Sequence, residues 1–327
     1  VSDGISHTDT YTDSDGNTNQ INSAIFARDD IKIKGSGTLT VNGNTEDGIV
    51  SKNDIKIYNG NITVNAVDDA IRGKDSVTIG NADNTDFSTF NLNVKSESGK
   101  GIKSNETDDE TKGFITINGG TVSVTSYSDA IHASRNLTVN GGTIDITTTC
   151  PASSSGGNSG WGGNSGGGFG GWGEGNGSST SDSAKGLKAG VTDDTTGTTT
   201  DGAITINGGD ITITSTDDSI HASGTISIND GSMTLSTGDD GIHSDTKVVI
   251  GIEGKGFDAP YVDIIKSYEG VEGVDVEVNS GTILVTSSDD GYNAAGGTDN
   301  SGNQQPGGWG QGGMGGGSQT LVFNGGY

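Results

Sequence analysis

Ten related tetrads along the 327-residue chain set acidic and basic side chains at fixed offsets, and these are the residues that could do chemistry. The second tetrad residue reads, in chain order, Ser23, Asp47, Asp69, Lys100, Asp129, Lys185, Asp218, Asp240, Glu269 and Asp290. Its middle alternates in sign. Asp69, Lys100, Asp129, Lys185 and Asp218 would form a ladder with opposite charges on neighbouring rungs, worth roughly a few tenths of a kcal/mol per exposed pair. From Asp218 to Asp290 the column is acidic throughout. Like charges ~5 Å apart repel by ~1 kcal/mol or more near a surface, so protons or a cation should neutralise them. With Asp239, Glu272 and Asp289 beside Asp240, Glu269 and Asp290, an oxygen-only donor set suits Ca²⁺. The other reading is a solvated acidic stripe.

Three residues past this column lies a second, basic one: Arg72, Lys103, His132, Lys188, His221 and His243. Arg72, Lys103 and Lys188 could meet the carboxylates of a polyuronate, while the histidines add charge only below about pH 6.5. Alternatively, the neighbouring aspartates neutralise them within the protein. No compact acid/base pair stands apart from the two columns, so binding rather than catalysis is expected. A sugar site would then be a long shallow groove with outward side chains repeating along stacked strands.

The tetrads themselves imply the scaffold. Asp68-Asp69-Ala70-Ile71 returns as Glu46-Asp47-Gly48-Ile49, Gly99-Lys100-Gly101-Ile102, Ser128-Asp129-Ala130-Ile131, Asp217-Asp218-Ser219-Ile220, Asp239-Asp240-Gly241-Ile242 and further variants. The shortest intervals, Asp47 to Asp69 and Asp218 to Asp240, are 22 residues. A fixed period with variable insertions means a solenoid. Each unit continues with two alternating runs, such as Ile55 and Ile57 followed by Ile62 and Val64, which is the period-two signature of half-buried strands. Asn-Gly-Gly turns at 118–120, 140–142 and 207–209 separate the runs. The tetrad's third residue is always small, as a packed corner requires. Three short strands per coil suit this period, and parallel crossovers are right-handed, so the fold expected is all-β: a right-handed parallel β-helix of about ten coils. One domain spans 1–327.

Composition agrees once the repeat is recognised. With 28% hydrophobic residues and net charge −26, an ordinary globular core would be marginal, whereas a solenoid needs only a few inward positions per coil. Forty-three acids against 17 Lys and Arg argue against nucleic acid as a partner, and no stretch is apolar enough to insert into a membrane. Cys150 is the single cysteine, and neither an H-E-x-x-H pattern nor a phosphate-binding loop is present. Two glycine-rich inserts, 151–183 and 296–318, hold all three tryptophans: Trp161, Trp172 and Trp309. These rings either stack on a sugar or cover the protein's own flank.

Lys266-Ser267-Tyr268-Glu269-Gly270-Val271-Glu272 and Ser288-Asp289-Asp290-Gly291-Tyr292-Asn293-Ala294 resemble the S-Y-E-G-I-E and S-D-D-G-I-N-A signatures of a bacterial, largely clostridial family of extracellular polysaccharide-binding proteins. Asp47-Gly48-Ile49-Val50-Ser51-Lys52, Ile71-Arg72-Gly73-Lys74-Asp75-Ser76-Val77 and the acidic loop 105–112 match as well, over about residues 24–327. Val271 and Tyr292 stand where the signatures have isoleucine. The resemblance implies a β-helix related to pectate lyases, bound Ca²⁺, affinity for cellulose and pectic polymers of the plant cell wall, and a place outside a bacterium or on its surface. It also implies that the chain starts and stops mid-coil.

The function expected is therefore noncatalytic carbohydrate binding, stabilised by calcium, with Trp161, Trp172, Trp309, Arg72, Lys103 and Lys188 as candidate sugar contacts. Two alternatives stay open. One is a calcium-dependent pectate lyase with Arg72, Lys103 or Lys188 as base. The other is a filament or adhesin subunit that associates end to end through open coils.

Overall fold

Within each repeat the chain runs from a tetrad through two alternating segments, and each segment pairs in parallel with its counterpart in the next repeat. The computed structural model describes residues 1–4, 9–13, 16–84, 86–151, 184–192, 197–294 and 319–327. The tetrad strands stack from Ser23–Ala27 through Asp47–Ser51, Ile71–Gly73, Ile102–Ser104, Ile131–Ala133, Leu187–Ala189 and Ile220–Ala222. The first alternating runs stack from Ile31–Ile33 through Asp54–Ile57, Ser76–Ile79, Phe114–Ile117, Leu137–Val139, Ile204–Ile206 and Ile226–Ile228. These two stacks merge in the long strands Ile242–Ile250 and Val271–Val278, each of which pairs within both. The second alternating runs form a third stack, the third sheet, of nine strands from Thr38–Gly43 to Thr282–Ser287. Small antiparallel hairpins, Thr10–Thr12 with Thr18–Gln20 and Val191–Thr192 with Thr199–Thr200, lie outside these stacks.

Among the described residues the fold is all-β, built of large parallel sheets closed around one core, and no helix is long and apolar enough to cross a membrane. Alternation explains the core. Ile55, Val77, Ile115, Leu137, Ile204, Ile226, Val248 and Val276 occupy one register position and all are fully buried. Each inward aliphatic thus stacks on its equivalents above and below, and few apolar residues per repeat suffice.

Two local features hold the register. At the turns the asparagines pass a hydrogen bond from repeat to repeat: Asn140 Nδ2 donates to Asn118 Oδ1 at 2.9 Å, Asn207 to Asn140 at 2.9 Å, and Asn229 to Asn207 at 2.8 Å. At the tetrad corner there is no room for bulk. A Cβ on Gly101 would stand 2.3 Å from Val124 Cγ1 and 2.6 Å from the Ala130 carbonyl oxygen, which accounts for the small third residue. This corner brings the second tetrad residue against the interior rather than leaving it on the flank.

Candidate functional site

Strand register places the two charged columns side by side along the tetrad sheet. Arg72, Lys103, His132, Lys188, His221, His243, Glu272 and Asn293 are successive partners in it. The expectation of exposed pairs is corrected. Asp129, Asp218 and Asp240 are fully buried, Asp47 is 2% exposed and Lys185 5%, because the small corner residues let the tetrad pack close to the third sheet.

Asp69, Asp129, Asp218 and Asp240 use their two oxygens differently. Oδ1 accepts the backbone N–H of the equivalent residue in the next repeat: Lys100 N to Asp69 at 3.0 Å, Lys185 N to Asp129 at 3.1 Å, Asp240 N to Asp218 at 3.1 Å and Glu269 N to Asp240 at 3.2 Å. Oδ2 faces the cations. Asp69 pairs with Lys103 at 3.1 Å and Arg72 at 3.7 Å, and Arg72 also pairs with Asp47. Asp129 meets Lys100 at 3.2 Å, His132 at 3.1 Å and Lys188 at 3.5 Å. Lys185 bridges Asp218 and Asp217, the latter at 3.0 Å. A carboxylate with one oxygen on a backbone N–H and the other on ammonium groups is satisfied despite burial.

The pKa shifts follow from this geometry. Burial opposes charge on Asp129 and Asp218, yet Lys188 and Lys100 around the first and Lys185 beside the second hold both below the usual carboxylate range. Burial lowers His132 and His221 to about 4. His243 differs: burial again opposes its charge, but Asp240, Asp218 and Glu272 outweigh that and raise it to about 9. Burial, then the adjoining Asp240 carboxylate, raises Glu272 to about 8. Where lysines end in the column, a proton on His243 and one on Glu272 take over the neutralisation.

The sequence-predicted residues fall into three groups. Arg72, Lys103 and Lys188 sit in the ladder with side chains 26%, 28% and 20% exposed, turned onto Asp47, Asp69 and Asp129. Trp161, Trp172 and Trp309 lie outside the described residues. Of the six acids expected to hold Ca²⁺, Asp240 and Glu272 converge, with the His243 imidazole among them. Glu269 instead accepts from Asn293 Nδ2 at 2.8 Å, and Asp289 and Asp290 are exposed. A cluster of three carboxylates, Asp217, Asp218 and Asp239, also forms, but the Lys185 ammonium is already seated on two of them. Among the described residues, then, two of the six expected acids converge on one point, and water would have to supply further oxygens for calcium to reach its usual six to eight. Sequence reasoning missed Asp217 and Asp245 as members of the site. The basic column read from the sequence already set His221 next to His243, and the strand register agrees.

This fold and its internal ladder define a parallel β-solenoid stabilised by buried, compensated charge. A sequence model of the carbohydrate-binding domain-containing proteins matches residues 2–241 and 194–305, and the chain belongs to that family. A carbohydrate-binding domain-containing protein of Acetivibrio thermocellus is 54% identical over 56 residues, a stretch that covers 17% of this chain and 20% of that protein. The chain thus matches only a minor part of that relative's length. No solved structure matches it.

Proposed function

We propose that the chain is a noncatalytic carbohydrate-binding protein that works outside a bacterium or on its surface and holds plant cell-wall polysaccharide, cellulose or pectic, along the outer faces of its sheets. The observation that carries this reading is that the ladder's cations are engaged internally while, among the described residues, the third sheet presents a row of polar side chains outward. There Asn61, Asn91, Thr121, Thr143, Asp210 and Ser232 are register partners, exposed or half-buried. Hydroxyl, amide and carboxylate groups recurring at the strand spacing of ~4.8 Å suit a polymer that is itself a repeat. Stacking of Trp161, Trp172 and Trp309 on sugar faces would add to it through avidity.

The pairing of each segment with its counterpart one repeat on also supports the finer reading of the scaffold, a right-handed β-helix of about ten coils with three strands each. Stabilisation by Ca²⁺ has in its support the exposed acids Asp289 and Asp290 and the excess negative charge, and a rise in melting temperature on adding Ca²⁺ to EDTA-stripped protein would bear it out. End-to-end association of coils would appear as particle length rising with concentration.

A lyase needs a base free to take a proton, and the ion pairs of Arg72, Lys103 and Lys188 argue against that role. The test is a pull-down on crystalline cellulose and on polygalacturonate, with absorbance of unsaturated uronides followed in parallel. Retention on at least one polymer, with no absorbance above a boiled control, is the expected result. Trp161→Ala, Trp172→Ala and Trp309→Ala together should weaken cellulose retention several-fold. Retention on neither polymer would sink the proposal, and product release abolished by Lys103→Ala would replace it with the lyase.

A further inference from the structure

The charge ladder is satisfied rung by rung until its lysines end, and beyond them stands a different kind of cluster. His221 and His243 are register partners on adjacent strands, with ring centroids 4.9 Å apart. His221 Nδ1 lies 2.9 Å from Asp218 Oδ2. His243 Nδ1 faces Asp240 at 3.4 Å, Glu272 at 3.6 Å and Asp218 at 3.9 Å, and its Nε2 faces Asp245 at 3.6 Å. The His243 side chain is fully buried, yet neither ring nitrogen has a hydrogen bond of ordinary geometry, and Asp240 Oδ2 beside it is likewise without one. A buried imidazole surrounded by carboxyl groups, none of which meets it in hydrogen-bond geometry, is a set of donors converging on one small volume.

His132 shows the alternative outcome one stretch earlier in the same column. Its Nε2 contacts the Gly190 carbonyl oxygen at 3.0 Å, and its neighbour Asp129 already has Lys100 and Lys188 within 3.2 and 3.5 Å. His132 Nδ1 and Asp129 Oδ2 also lack a hydrogen bond of ordinary geometry, but there the second ring nitrogen is bonded and the charge is met by two lysines. At His243 the equivalent position in the next strand is Glu272, so the column offers a carboxyl group where the rung after His132 offers the Lys188 ammonium.

We propose that His221 and His243, with Asp218 and the Asp240–Glu272 pair, form a binding site for a divalent transition metal ion of the zinc class. Asp218, His221 and His243 offer ligand atoms that lie within 4.8 Å of one another, as do Asp240, His243 and Glu272, so His243 is common to both sets. Asp218 Oδ2 also carries the Lys185 ammonium, which an ion at that oxygen would displace onto Asp217, its other partner at 3.0 Å. Metal–ligand bonds of about 2.0–2.2 Å in a tetrahedron put neighbouring donors roughly 3.3 Å apart, which the measured separations bracket. Two imidazoles with carboxylates are a borderline donor set. They favour zinc or its neighbours over Ca²⁺, which takes oxygen alone. An ion here would tie the strand Ile220–Ala222 to Ile242–Ile250 and Val271–Val278, stapling three successive repeats where the lysine ladder stops.

The experiment is a Co²⁺ titration of the full chain after EDTA treatment, followed by visible absorbance and by displacement with Zn²⁺. A d–d band saturating at one equivalent, displaced by Zn²⁺ and not by excess Ca²⁺, is expected. His221→Asn and Glu272→Gln should each weaken Co²⁺ binding by about tenfold or more, and His132→Asn should leave it unchanged. Absence of the band, equal displacement by Ca²⁺, or retention of full affinity in His221→Asn and Glu272→Gln would overturn the proposal. A readout that needs no variant is X-ray absorption at the zinc edge of the loaded wild-type chain. Outer-shell scattering from two imidazoles supports the site, and a shell of oxygen donors without imidazole refutes it.

Discussion

Replacing Lys185 with methionine should cost about 3–5 kcal/mol of folding stability, the range for breaking a buried ion pair by removing one partner. Lys185 is 5% exposed and Asp218 not at all, and the ammonium bridges Asp218 to Asp217 at the point where alternation in the column ends. Methionine keeps the apolar stem but leaves two carboxylates facing each other. Asp218 retains His221 at 2.9 Å and the Asp240 backbone N–H at 3.1 Å, so its charge keeps partial support. The pKa of Asp217 is already raised by burial and by Asp218, so it would be the first of the two to take up a proton. Urea unfolding followed by circular dichroism measures the loss at neutral pH. Adding Asp217→Asn to Lys185→Met should recover a large part of it, since one of the two opposed charges is then gone. A Lys185→Met variant within about 1 kcal/mol of wild type, the scale of a surface pair, would refute the view that the ladder is a buried, stability-bearing element.

The pH dependence of metal-stripped protein is set by shifts of opposite sign. His243, raised from 6.5 to about 9, and Glu272, raised from 4.5 to about 8, contribute stability that is complete below their unfolded values and is lost as pH rises through the folded ones. His132 and His221, lowered from 6.5 to about 4, contribute stability present above 6.5 and lost as pH falls toward 4. Melting temperature should therefore fall from about pH 6.5 to about pH 9.5, and His243→Asn should flatten that decline; an unchanged slope in the variant would assign it elsewhere. Gly101→Ala should destabilise by roughly 1–3 kcal/mol in thermal melts, as overpacking does, because its Cβ would meet Val124 and the Ala130 carbonyl oxygen at 2.3 and 2.6 Å. A neutral Gly101→Ala would mean that the corner is looser than its geometry implies.

The strands and their register were legible in the chain because both are local or periodic properties. Ile55 and Ile57 alternate with polar neighbours, and alternation decides which face of a strand is buried wherever one face meets a core. Register survived even long insertions. Leu187 pairs with Ile131 across 56 residues, since the tetrad, not the count of residues, marks where each repeat begins. The sequence by itself therefore determined the parallel stacking, the small corner residue and the fact that Asp129 adjoins Lys100 and Lys185.

Only the tertiary structure decided what those neighbours do. That the ladder is buried depends on how close the corner comes to the third sheet, which is set by the packing of Gly101 on Val124 and not by the tetrad alone. That Lys188 turns onto Asp129, that Asn293 takes Glu269, and that His243 stands among Asp218, Asp240 and Glu272 are choices of side-chain direction. Spacing fixes where a Cβ lies, but a long or ionisable side chain then goes to whichever partner offsets its desolvation, and that partner is known only when every neighbouring strand is in place.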